Sequence, residues 1–83
     1  MKITLIVTIL SSGNNKFMKG LKKIRLERNL NQQKVALDLH ISREALSHYE
    51  NGKREPSLNL LLQMAKYFKV SIEYLITGEE KER

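Results

Sequence analysis

The chain has 83 residues, with 15 Lys and Arg against 9 Asp and Glu, a formal charge of +6 and no cysteine. That length allows one small domain, and the missing thiols exclude a disulfide framework, a thiolate metal site and a cysteine nucleophile, as suits a reducing cytoplasm. Residues 17–56 hold nine bases and five acids, whereas residues 57–83 hold four of each, so a surface for a polyanion is expected in the first two thirds, with plain solubilising charge as the alternative.

Residues 1–10, MKITLIVTIL, alternate Ile3, Leu5, Val7 and Ile9 with Thr4, Ile6, Thr8 and Leu10. β-Branched residues and Leu favour a strand, and the run is too short to cross a membrane as a helix. Its outline also fits a secretory signal weakly, against the intracellular character of the downstream residues. An apolar strand needs an edge to pair with, so residues 1–16 are expected to be an N-terminal extension, either non-native or a strand that joins two copies, with the second reading favoured. Residues 11–15, SSGNN, read as a linker. The remaining expected units are a domain over residues 17–78 and a solvated tail over residues 79–83.

Leu21, Ile24 and Arg25 share one face of a helix expected from Phe17 to Asn29, with Gly20 weakening its first turn. Asn31 caps a second helix, Gln32 to Leu39, whose inner face is Val35, Ala36 and Leu39. His40 and Ile41 form a turn with Ile41 inward. Ser42 caps a third helix, Arg43 to Glu50, stopped by Gly52. Leu46, Tyr49 and Glu50 fall on its inner side; Arg43, Glu44, Ser47 and His48 fall outside. Ser57 caps a fourth helix, Leu58 to Phe68, with Leu58, Leu61, Ala65 and Phe68 at helical spacing. Ser71 caps a fifth through Ile76, which Gly78 stops. Leu26 and Leu60 fall off the core faces. Five short helices with short connections make a compact all-α domain.

The second and third helices, joined by a tight turn, form a helix-turn-helix pattern, whose second helix enters the DNA major groove in such units. Residues 30–78, LNQQKVALDLHISREALSHYENGKREPSLNLLLQMAKYFKVSIEYLITG, resemble the lambda-repressor/Cro-like helix-turn-helix family, also called the xenobiotic-response-element family. The likeness rests on Gln32, Ala36, the run from Ser42 to Gly52, the run Lys53 to Ser57 and the run Val70 to Gly78. With the first helix it covers residues 18–78. Asn29 stands where that family usually has Gly, and Asn31 where it usually has Thr or Ser; both suit those backbone roles.

The resemblance implies that Arg43, Glu44 and His48 meet base edges. Arg can donate twice to guanine, and Glu can accept from the cytosine amine. Ser47 can reach base or phosphate. Gln32, at the start of the second helix, and Asn51, Lys53 and Arg54, beyond the third, are expected at phosphates. Bland readings stand beside these: Glu44 suits a helix N-terminus without any DNA, and the loop bases suit solvent. Glu50 points inward and needs a partner. Arg25, four residues from Leu21, is expected to pair with it, as the resemblance also suggests.

His40 and His48 lie on different elements, and no metal spacing, Gly-rich phosphate loop or triad is apparent, so neither a cofactor nor an enzyme is expected. The expected function is a sequence-specific transcriptional regulator of double-stranded DNA, a repressor binding a palindromic operator as a homodimer. The alternative is an antitoxin-type module that binds a partner protein and uses DNA for autoregulation. The fifth helix, the Leu60 region and the Ile3–Leu10 strand compete as the dimer surface.

Overall fold

The computed structural model describes residues 18–79, as five helices with no strand among them. They are α1 (Lys19–Glu27), α2 (Gln32–Leu39), α3 (Arg43–Glu50), α4 (Leu58–Phe68) and α5 (Ile72–Thr77). The expected strand and the C-terminal tail from residue 80 lie outside the described residues, as does Phe17. None of these helices is long and apolar enough to cross a membrane.

Each of the last four helices starts on a side-chain cap. The oxygens of Asn31, Ser42, Ser57 and Ser71 accept from the backbone N–H three residues on, at Lys34, Ala45, Leu60 and Tyr74, over 2.8–3.1 Å. Each bond satisfies one of the donors that a helix N-terminus leaves orphaned.

Three of the helices also end alike. Asn29, His40 and Lys69 take left-handed backbone at φ of 58°, 62° and 59°. The next residue, Leu30, Ile41 or Val70, then sends its N–H back to the carbonyl of Arg25, Ala36 or Ala65. Its side chain turns onto the core. This is the Schellman closure, in which one apolar residue past the reversal staples the helix end to the interior. It is why α1 stops at Glu27, two residues before the expected end at Asn29: the chain must reverse at Asn29 to bring Leu30 inward.

The core is built from Met18, Leu21, Ile24, Val35, Ala36, Leu39, Leu46, Tyr49, Leu61, Met64, Phe68, Tyr74, Leu75 and Ile76. On α4 the buried stripe is Leu61, Met64 and Phe68. Leu58, expected inward, is 53% exposed at the first position of α4. Leu60, expected off the core, is half-buried against it.

Gly20 has a structural task that its low helix propensity conceals. A Cβ there would sit 1.8 Å from the Tyr74 carbonyl oxygen, so only glycine lets α1 and α5 pack this closely. Two bases, Lys23 on α1 and Arg28 just after it, then close helix ends elsewhere. Arg28 Nη2 donates to the Phe68 carbonyl at the end of α4 (2.8 Å), and Lys23 Nζ to the Gly78 carbonyl after α5 (3.0 Å). Cations at helix C-termini are favoured by both the orphan carbonyls and the dipole. Part of the basic surplus of residues 17–56 is therefore spent on the scaffold.

Candidate nucleic-acid interface

α3 is anchored by one side and presents the other. Leu46, Tyr49 and Glu50 are buried. Arg43 and Glu44 are consequently exposed, and Ala45, Ser47 and His48 half-exposed, on the outer side of the same two turns. The Ser42 cap fixes where the helix begins, and hence the angle at which Arg43 leaves it.

The loop after α3 folds back onto the helix instead of running away from it. Asn51 N–H bonds to the Ser47 carbonyl, and the N–H groups of Lys53 and Arg54 both reach the His48 carbonyl, at 2.9 and 3.4 Å. Gly52 permits the reversal with φ of 76°. Asn51 Nδ2 also donates to Ser47 Oγ at 3.3 Å. Asn51, Lys53 and Arg54 are thereby held, exposed, at the C-terminal end of the polar face. The Arg54 guanidinium lies 5.8 Å from the centre of the Tyr49 ring, within cation–π range.

Behind this surface the structure brings Arg25 and Glu50 together. Arg25 Nε donates to Glu50 Oε2 at 2.7 Å and Nη2 donates to Oε1 at 3.1 Å. The side chains are 8% and 1% exposed. Arg25 Nη1 donates in addition to the Leu30 carbonyl at 2.8 Å. A two-pronged pair of this kind fixes geometry as well as charge, and here it ties α1 to the last turn of α3.

Gln32, expected at a phosphate, also has partners within the protein. Its Nε2 donates to Glu50 Oε1 at 3.0 Å, and its Oε1 accepts from Arg43 Nη1 at 3.3 Å. The amide orientation follows from chemistry, because a carboxylate can only accept and a guanidinium can only donate. Each end of the amide thus has one partner in its own protein, while the second Nε2 hydrogen and the backbone N–H at the start of α2 remain chemically able to meet a phosphate.

A further polar junction escaped sequence reasoning. Tyr67 Oη donates to Asp38 Oδ2 at 2.6 Å, joining α4 to α2, and Lys34 Nζ lies 3.2 Å from the same oxygen. The phenol bond, aided by Lys34 and His40, holds the Asp38 carboxyl below its usual range. Burial, then the Asp38 bond and charge, push the Tyr67 phenol up to about 12. Asp38 is the chain's lone aspartate, but nothing in its neighbourhood along the sequence points to a residue 29 positions away. Among the described residues no group of three or more His, Cys, Asp and Glu could hold a metal ion.

Comparison with known proteins places this geometry among relatives. The sequence profile of the family described as Helix-turn-helix matches residues 21–75. The HTH-type transcriptional activator BcrR of Enterococcus faecalis is 39% identical over 64 residues, covering 77% of this chain and 31% of that protein. The uncharacterized HTH-type transcriptional regulator YqaE of Bacillus subtilis (strain 168) is 40% identical over 67 residues, covering 81% of this chain and 58% of that protein. The cryptic phage CTXphi transcriptional repressor RstR of Vibrio cholerae is 31% identical over 64 residues, covering 77% of this chain and 58% of that protein. The chain therefore spans 31–58% of the length of these three relatives. No solved structure matches the chain significantly.

Proposed function

Because the chain belongs to the lambda-repressor/Cro-like helix-turn-helix family of DNA-binding transcriptional regulators, we propose that it reads one operator by laying α3 in the major groove. Arg43, Glu44, Ser47 and His48 face base edges; Asn51, Lys53, Arg54 and the start of α2 at Gln32 meet the phosphates. The observation that carries this reading is the division of α3. One side is buried, while the polar side stays outward, with two loop cations folded against its end. A helix of this width fits the major groove, where each base pair shows a distinct pattern of donors and acceptors.

One domain offers few contacts, so the operator is read by a homodimer. Two α3 helices about 34 Å apart would enter successive major grooves on one side of the duplex, which demands an inverted repeat with half-sites about 10 base pairs apart. The sign of regulation is repression, for which occupying the operator suffices; activation needs a further contact with the transcription machinery. RstR is named a repressor and BcrR an activator, and a reporter driven from the operator distinguishes the two.

Selection of binding sites from random duplexes tests the reading. It should return an inverted repeat. Affinity should fall steeply with salt as counterions are released, and Lys53→Ala should weaken binding to all sequences alike while reducing the salt slope. Arg43→Ala should relax the preference at one symmetric base pair. No enriched sequence, or a single unsymmetrical site bound by a monomer in sedimentation, would defeat the proposal.

A further inference from the structure

We infer that Tyr49 is a positioning residue for the grip on the DNA backbone: its ring, seated in the core, holds Arg54 by the face and leaves the edge of that guanidinium for a phosphate. The inference rests on the reading of Arg54 as a phosphate contact and adds a residue that does not itself touch DNA.

Two sets of observations carry it. The first concerns the loop. The N–H groups of Lys53 and Arg54 both bond to the His48 carbonyl, at 2.9 and 3.4 Å, and Gly52 makes the reversal at φ of 76°. Arg54 is thereby returned to the end of the helix that bears Tyr49. Pro56, buried two residues later, fixes its own φ and restrains the loop from the other side. The second set concerns the side chains. Tyr49 is 8% exposed and belongs to the core cluster, whereas Arg54 is exposed. The Arg54 guanidinium carbon lies over the Tyr49 ring, 5.8 Å from its centre. A ring fixed by packing thus supports a cation that faces water.

The ring and a phosphate do not compete for Arg54. A guanidinium stacks through its flat face and donates hydrogen bonds in its plane, so a ring leaves all five N–H donors available. A carboxylate in the same place would take those donors and cancel the charge that a phosphate needs. Direction matters because Glu55 lines the same open hollow as Lys53 and Arg54: a guanidinium turned to that carboxylate would be lost to the phosphate. An arginine free in solvent also gives up rotamer freedom on binding, and one already laid on a ring gives up less. The other cation–π contact among the described residues is Lys23 on Tyr74, so Lys53 has no ring to direct it. Phosphate contacts set affinity and register but carry no base preference. Tyr49 therefore acts on the binding of every sequence.

The test titrates the full-length chain and its variants onto the selected operator and an unrelated duplex at several salt concentrations, with circular dichroism to check that each variant is folded. Arg54→Ala should weaken both duplexes alike and reduce the salt slope by about 1. Tyr49→Leu, which removes the ring, should weaken both by about two- to fivefold. Tyr49→Phe, which keeps it, should bind as the wild type does. On the Arg54→Ala background Tyr49→Leu should cost nothing further. Should Tyr49→Leu fail to fold, proton resonances carry the test: the ring current should move the Arg54 Hδ signals upfield in the wild type and in Tyr49→Phe. No such shift in the wild type would overturn the inference. So would a Tyr49→Leu loss that persists in full beside Arg54→Ala, one that alters base preference, or no loss at all while Arg54→Ala binds weakly; the phosphate contact of Arg54 would then stand without its support. If Arg54→Ala itself leaves affinity and salt slope unchanged, the contact and the inference fall together.

Discussion

α1 makes two joints of opposite character. Against α5 it presents Gly20, and the fit is a matter of size, with the Tyr74 carbonyl occupying the space a methyl group would need. Against α3 it presents Arg25, and the fit is a matter of charge and direction, with two bonds to Glu50 in a nearly dry site. The first joint resists bulk and is indifferent to ionisation. The second tolerates little change in charge, and it is the one hydrogen-bonded, through Gln32, to the exposed Arg43. A domain this small has few places to fix the attitude of α3, and a directional polar joint fixes orientation where apolar contact alone would let the helix rock.

The largest effect should come from breaking the charged joint on one side. Glu50→Ala strands the Arg25 cation in the interior and should cost about 3–5 kcal/mol, comparable to the whole stability of a domain of this size. Circular dichroism melting should show the cooperative transition lost or moved far down. Replacing both partners together, Arg25→Met with Glu50→Met, removes the stranded charge and should recover most of the loss, while the Gln32 bond to Glu50 would not return. A Glu50→Ala midpoint equal to wild type would mean that the carboxylate contributes nothing and that the joint is held by apolar contact after all.

The steric joint should rank second. Gly20→Ala gains about 1 kcal/mol of helix propensity, yet it must push α1 and α5 apart against a backbone carbonyl that cannot rotate away, an overpacking cost of about 1–3 kcal/mol or more. Net destabilisation is the expected outcome in a denaturant titration, and DNA preference in the surviving folded fraction should be unchanged, because α3 is not touched. A more stable Gly20→Ala protein would show that the two helices can separate freely.

The difference between the joints also marks where the sequence was readable. The caps at Asn31, Ser42, Ser57 and Ser71 act on a backbone N–H three residues away. Signals that local survive in a single chain, which is why the starts of α2 to α5 and the outward set Arg43, Glu44, Ser47 and His48 were legible. Arg25 and Glu50 could be matched because a carboxylate and a guanidinium on inward stripes each demand a partner. Gly20 reads in the sequence only as a weak first turn, since its packing reason lies on a helix more than fifty residues later. Leu58 has the spacing of a core residue but is exposed at the first position of its helix, which spacing alone does not reveal. Gln32 has the composition of a surface residue, and only the placement of Glu50 and Arg43 on either side reveals its bridging role.

The α2–α4 contact sharpens the comparison, because it is polar like the Arg25–Glu50 joint but lies nearer to water. Asp38 keeps 27% of its side chain exposed and Lys34 56%, so solvent can replace a lost partner and the effect should be small. Tyr67→Phe should lower the melting temperature by roughly 2–6 °C near neutral pH. The pH dependence identifies the cause. The Tyr67 phenol is raised from 10.0 to about 12, so its contribution is complete below pH 10 and disappears as pH climbs through about 12. The Asp38 carboxyl is lowered from 3.8, so its share is present above pH 3.8 and fades as pH falls through the depressed value. The gap between wild type and Tyr67→Phe should therefore be widest and flat across the middle of the range and close at both ends. A gap that stays constant into strong alkali would assign the loss to packing of the ring instead of to the bond with Asp38.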